Sequence, residues 1–139
     1  MNQFFPKNYK FKKIRKRVRT NNLKDFRSSY LKTSKFGLKV LENGVISSTI
    51  LEAARRSITR KVKRVGKLKI NGFPYVPITS KPVGVRMGKG VGSIAGWVFP
   101  VQKGRILFEL AGVSLELAKS ALRSASYKLP MKSKFIYKI

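Results

Sequence analysis

At 139 residues the chain suits one domain built around one core. Its 32 Lys plus Arg against 5 Asp plus Glu leave a formal net charge of +27, a self-repulsion that implies a strongly anionic partner, nucleic acid or lipid surface. Cysteine and histidine are both absent, which excludes disulfides, thiol nucleophiles, imidazole bases and the usual zinc sites together. The five carboxylates, Asp25, Glu42, Glu52, Glu109 and Glu116, are scattered singly. Neither an acid–base pair nor an oxygen cage for a metal is indicated, so the chain reads as a non-enzyme without cofactor or metal. No apolar run approaches the roughly 20 residues needed to cross a bilayer. A normal apolar share of 42% separates the chain from a disordered polycation.

Residues 1–36 carry twelve Lys or Arg against Asp25 alone, interleaved with Phe4, Phe5, Tyr9, Phe11, Phe26 and Tyr30. Such a block repels itself in solution and is expected to order as an arm against phosphates, its rings stacking on bases or packing on the body. A solvated tail or an organellar transit peptide has the same composition, and composition leaves these open. The single folded domain is expected over residues 37–139.

Residues 37–41 read as a short strand closed by a turn at Glu42, Asn43 and Gly44. Ser47, Ser48 and Thr49 offer helix caps, with Thr49 and Glu52 spaced as a capping box. Ile50, Leu51, Ala54, Ile58, Val62 and Val65 then recur on one helical face, and Gly66 is the expected stop. Arg56, Arg60, Lys63 and Lys67 fall on the other face. A solvated face normally mixes signs; this one holds Glu52 alone, which favours RNA contact. Leu68 and Ile70 alternate with Lys67 and Lys69 as a half-buried strand, broken by an extended turn at residues 73–77.

Val83, Val85 and Met87 alternate with Gly84 and Arg86, which predicts a strand that turns Arg86 away from the core. Gly84, Gly88, Gly90 and Gly92 make the following stretch a basic loop able to approach another surface closely. A Walker loop and a dinucleotide fingerprint both fail on spacing: Gly84 and Gly88 enclose three residues rather than four, and Ser93 stands where a third glycine belongs. A mobile hairpin tip with incidental charge is the plain alternative to a phosphate-seeking finger. Trp97, Phe99 and Val101 share parity, as do Ile106, Phe108 and Leu110, giving a second flanking strand and a third that continues the sheet. A lone Trp in such a strand is read as core rather than as a stacking platform. Ser114 can cap a second helix with Glu116 in its first turn, Ala118, Ala121, Leu122, Ala125 and Leu129 as its seam, and Pro130 as its end. Phe135, Tyr137 and Ile139 complete a closing strand. The expected fold is α+β, a mostly antiparallel sheet with two amphipathic helices packed on one face, plus the basic arm and the glycine-rich loop.

The quoted residues also carry a resemblance. Phe36 to Lys39 (FGLK), Glu52 to Arg56 (EAARR) with Ile58, Thr59 and Arg60, Lys63 with Arg64, Phe73 with Pro74, and Pro77 to Thr79 are the first part of it. Lys81 with Pro82, Val85 to Gly90 (VRMGKG), Trp97 with Val98, and Gly104 to Glu109 (GRILFE) are the strongest part. Pro6, Lys7 and Lys10 to Lys13 match the start, and Lys128 to Pro130 the end. The chain is similar to large-subunit ribosomal protein sixteen, the bacterial and organellar form of a universal family. The resemblance implies a structural constituent of the large ribosomal subunit that acts in translation. It would bind large-subunit rRNA beside other large-subunit proteins near the peptidyl transferase region. Carried over by position, Lys7, Lys10, Lys12, Lys13, Arg15, Lys16, Arg17, Arg55, Arg56, Arg60, Lys63 and Arg64 would hold rRNA. Lys81, Arg86, Met87, Gly88, Lys89 and Gly90 would face tRNA at the aminoacyl site. Neither a membrane span nor self-association is expected.

Three departures from the family pattern stand out: Val91 replaces a second loop lysine, Ala95 and Gly96 replace an acidic-aromatic pair, and Leu68 replaces a Trp. They touch the loop's contacts and leave the fold expectation intact. Because the match begins almost at Met1, the arm is expected to be body rather than address tag. A Lys-, Phe- and Ile-rich member then implies a mitochondrial location, with bacterial cytoplasm or plastid as alternatives. A peripheral binder of anionic membranes or other polyanions is the competing reading from another class, and a hydrolase built on an isolated carboxylate is a third.

Overall fold

The structure is a computed structural model that describes residues 4–6, 13–14, 28–63 and 65–138. Among the described residues are seven strands and two helices: β1 (Phe36–Val40), β2 (Gly44–Ser47), α1 (Ser48–Val62), β3 (Lys67–Ile70), β4 (Val76–Ser80), β5 (Ser93–Val101), β6 (Ile106–Ala111), α2 (Leu115–Ser126) and β7 (Ser133–Tyr137). All pairings are antiparallel, and the architecture is the expected α+β class. The strands divide between two sheets rather than extending one. β3-β6-β1-β7 form the first and β2-β5-β4 the second.

The division arises at the turn after β5. Gly104 adopts a φ of 93° there, and its N–H donates to Val40 O at 2.7 Å while Val40 N donates to Arg105 O at 2.9 Å. The chain is thereby captured by β1, so β6 pairs with β1 and β3 instead of folding back on β5. Helix α2 lies against β1 and β7, α1 lies against β2 and β5, and the helices pack on each other. One core fills the space between these layers. Leu51, Ala54, Ile58 and Val62 of α1 and Ala118, Ala121, Leu122 and Ala125 of α2 meet Leu38, Val40, Ile46, Phe99, Val101, Leu107, Phe108 and Leu110 there, with Phe4 and Met131 closing its ends. Trp97 is buried outside that cluster, paired with Pro77 across the β4–β5 ladder, in keeping with its reading as a packed residue. Pro77 is tolerated because β4 is an edge strand.

Of the helix boundaries expected from the sequence, the N-caps at Ser47 and Ser114 hold, while the Thr49–Glu52 box and the stop at Gly66 do not. Ser47 caps α1, its Oγ accepting from Ile50 N at 3.3 Å, and the Thr49–Glu52 box does not form because Thr49 already lies inside the helix, leaving the Glu52 carboxylate to the arginines. The helix ends at Lys63, which takes the left-handed conformation with φ 49°. Val65 lies beyond it and is exposed. Gly66 serves packing instead: a Cβ there would sit 2.7 Å from both Ala111 O and Val113 Cγ1. Ser114 begins α2 without a side-chain hydrogen bond.

Residues 28–35 run as a strap over the first sheet. Ile106 N donates to Ser28 O, Lys39 Nζ to Ser29 O and Lys138 N to Lys35 O. Leu31 crosses Gly37, where a Cβ would meet its Cδ2 at 2.5 Å. The pin is Glu109. At 1% exposure, its Oε2 accepts from Thr33 N at 3.0 Å and Ser34 N at 3.2 Å, and its Oε1 from Asn71 Nδ2 at 2.6 Å. Burial pushes this carboxyl's pKa up, but the donors at Thr33, Asn71 and Ser34, with the charge of Lys69, outweigh it and hold the pKa below the ordinary value. Glu109→Gln replaces a charged acceptor with an amide whose N–H₂ cannot serve two donors. It is expected to lower stability by about 2 kcal/mol and to expose the strap to proteolysis, as urea denaturation and limited digestion will show.

Candidate nucleic-acid interface

Two basic features stand on this scaffold. The first is the outward face of α1, where Arg55, Arg56, Thr59, Arg60 and Lys63 line an open groove of about 490 Å³. The apolar stripe of α1 is consumed by the core, which leaves these positions to solvent. Glu52 organises them. Its Oε2 accepts from Arg55 Nε at 2.8 Å, and its Oε1 accepts from Arg55 Nη2 at 2.7 Å and Arg56 Nε at 2.8 Å. Hydrogen bonding from Arg55, reinforced by Arg56 and both cationic charges, overcomes burial and brings the Glu52 pKa from 4.5 to about 2. The same pairing raises the pKa of Arg55.

The carboxylate therefore does not compete for an anionic ligand. It fixes two guanidiniums in place, while the Arg56 side chain stays 66% exposed. Thr59 contributes to the groove wall and donates to Arg55 O at 3.0 Å. Sequence reasoning missed this role for Glu52, although its i,i+3 and i,i+4 spacing to Arg55 and Arg56 carries the signal.

The second feature is the loop of residues 81–92 between β4 and β5. The strand expected through Val83, Val85 and Met87 does not form; the strand that leads into the loop is β4, which ends at Ser80, before that alternation begins. Gly84, Gly88 and Gly90 hold φ values of 85°, 97° and 92°, and Lys89 joins them at 51°, conformations that no strand accommodates. Val83 and Met87 are 105% and 94% exposed. Arg86 and Lys89 are exposed as well. Lys13 lies at this loop, its Nζ donating to Val91 O at 3.4 Å. Lys81 points inward to the loop backbone.

Of the remaining expected contacts, Arg55, Arg56, Arg60 and Lys63 are brought together, while Lys13 joins the loop's hollow rather than the helix groove. Lys7, Lys10, Lys12, Arg15, Lys16, Arg17 and Arg64 lie outside the described residues. Among the described residues no cluster of acidic ligands could hold a metal, and no helix is long and apolar enough to cross a membrane. What such surfaces offer chemically is multivalent, single-sign contact with a polyphosphate.

Cations grouped on one helix face and on one glycine loop of a basic α+β protein suit the class of structural proteins that meet a polyanion. Residues 6–136 match the family described as Ribosomal protein L16p/L10e. The chain is 48% identical over 131 residues to the large ribosomal subunit protein uL16 of Leptospira biflexa serovar Patoc (strain Patoc 1 / Ames), covering 94% of each. It is 45% identical over 131 residues to the large ribosomal subunit protein uL16 of Staphylococcus aureus (strain Newman), covering 94% of this chain and 90% of the relative. The chain belongs to the L16p/L10e family of ribosomal proteins. It is accordingly a structural protein of translation and not an enzyme.

The Glu52 pairing predicts a pH dependence. Because the folded carboxyl titrates below its ordinary 4.5, its contribution is fully present above that value and is lost as pH falls through about 2. Glu52→Gln should therefore lower the thermal midpoint at pH 6, by an amount equivalent to about 1 kcal/mol once exposure of the arginines is allowed for. The difference from wild type should shrink between pH 4.5 and 2 in a thermal melt series.

Proposed function

We propose that this protein is a structural constituent of the large ribosomal subunit that binds large-subunit rRNA and helps to shape the aminoacyl-tRNA site near the peptidyl transferase centre. The observation that carries the reading is the α1 groove, where four cations meet and the helix's one carboxylate is spent on orienting two of them. Both relatives named above are large-subunit proteins, which supports the subunit.

Within this reading Arg55, Arg56, Arg60 and Lys63 contact rRNA phosphates. The basic arm of residues 1–36, with Lys7, Lys10, Lys12, Lys13, Arg15, Lys16 and Arg17, extends that contact, as does Arg64, and residues 37–139 are the folded domain. Arg86, Met87, Gly88, Lys89 and Gly90, entered through Lys81, form the tRNA-facing tip. Other large-subunit proteins are the neighbours. We place the protein in the mitochondrial ribosome on its Lys-, Phe- and Ile-rich composition; the bacterial relatives support a bacterial ribosome equally well.

Arg56→Glu with Arg60→Glu should weaken filter binding to a large-subunit rRNA fragment. The slope of log affinity against log salt should fall by about two, and the variant should enter subunits poorly. An unchanged slope would contradict the helix assignment. Arg86→Ala should spare folding and incorporation yet slow tRNA accommodation several-fold in a stopped-flow assay on reconstituted ribosomes. Loss of incorporation in that variant would make Arg86 an rRNA anchor.

A further inference from the structure

The cations of the 81–92 loop do not all face outward. Residues 82–90 are exposed throughout, but Lys81 is half-buried, and its Nζ donates to Arg86 O at 3.4 Å and also to Gly88 O. Lys81, Arg86 and Gly88 line a half-open hollow of about 470 Å³ within the loop, which Lys13 also lines. An ammonium has three donors and no acceptor. Two of those of Lys81 are committed to the backbone that carries the exposed Arg86.

The loop is fixed differently at its two ends. At the neck, Gly92 passes so close to the opposite limb that a Cβ would lie 2.2 Å from Ser80 O and 2.9 Å from Lys81 N. Backbone packing holds the limbs together there. At the tip, a Cβ on Gly84, Gly88 or Gly90 would meet nothing within 4 Å. The first turn has the Val85 N to Pro82 O bond at 3.3 Å, but among the described residues nothing packs against the glycine positions of the reversal. A reversal of glycines without packing loses more entropy on ordering than any other residue type would.

We propose that Lys81 is a positioning residue rather than an RNA ligand: from inside the loop its ammonium holds the reversal at Arg86 and Gly88, so the tip is formed before RNA arrives. The outward charge is then delivered by Arg86 and Lys89, with Lys13 bracing the returning limb at Val91. The identity of the ligand rests on the function proposed above; the preformed tip does not.

The test uses the RNA-free full chain, so its failure is separate from any failure of the RNA-binding reading. Lys81→Met keeps the aliphatic stem and removes the donors. In ¹⁵N relaxation the amide order parameters of Gly88 and Gly90 should fall from about 0.8 to below about 0.6, with the thermal midpoint unchanged. Lys89→Met removes an equal charge and should leave those order parameters at the wild-type value. Unchanged glycine order in Lys81→Met, or an equal loss in Lys89→Met, would overturn the proposal.

Discussion

Five carboxylates have to serve a chain with 32 cations, and this scarcity governs how the protein is held together. Glu109 and Glu42 stand at junctions between segments, and Glu52 acts within α1. Glu109 joins the strap of residues 28–35 to β6 and to Asn71. Glu52 ties two arginines to the start of α1. Glu42 accepts from Lys132 N at 3.3 Å and meets its Nζ at 3.4 Å, linking the β1–β2 turn to the approach of β7. An anion spent this way yields more than local attraction. In a strongly cationic molecule it relieves repulsion where cations crowd, between segments at Glu109 and Glu42 and along one helix face at Glu52.

The same scarcity shapes the functional surface. A helix face with balanced charges would pair with itself and present little net field. On α1 the one acid is nearly buried and shared between Arg55 and Arg56, so Arg60, Lys63 and the exposed part of Arg56 present unopposed charge. Holding guanidiniums in fixed orientations also lowers the entropy lost when they meet phosphate oxygens. Electrostatic strength and geometric readiness therefore come from one residue, and neither would follow from adding a further lysine.

Much of this was legible in the sequence wherever a single period decides. The parity of Trp97, Phe99 and Val101, the seam of α2 and the apolar stripe of α1 are local patterns, and the structure buries all three except at the helix ends, where Ile50 and Leu129 are half-buried and Val65 is exposed. The misreadings share a different cause. Alternation at Val83, Val85 and Met87 imitates a strand, but a strand needs a partner, and positive φ at Gly84 and Gly88 denies these residues one. The sequence points to Gly66 as the end of α1, while Lys63 takes the left-handed position and Gly66 is reserved for the close passage of Ala111. Which sheet a strand joins is likewise absent from its own parity; it is decided by the bonds between Val40 and the 104–105 turn. Glu109 reaches partners 76, 75 and 38 residues away, separations over which a single sequence carries no periodic signal.

The two basic features consequently solve opposite problems. On α1 the backbone is rigid, and a carboxylate is needed to fix the side chains. In the loop the side chains at Arg86 and Lys89 project from glycine-rich backbone, and it is the backbone that needs fixing. Carbonyl oxygens are the acceptors available there, so a cation serves: Lys81 does for the loop what Glu52 does for the helix. A basic protein poor in acids can order its recognition surfaces in this way, by donating some of its surplus ammonium groups to its own carbonyls. The charge withheld from the ligand is one ammonium out of a net charge of +27. The gain in order falls where the chain is least able to supply it from packing.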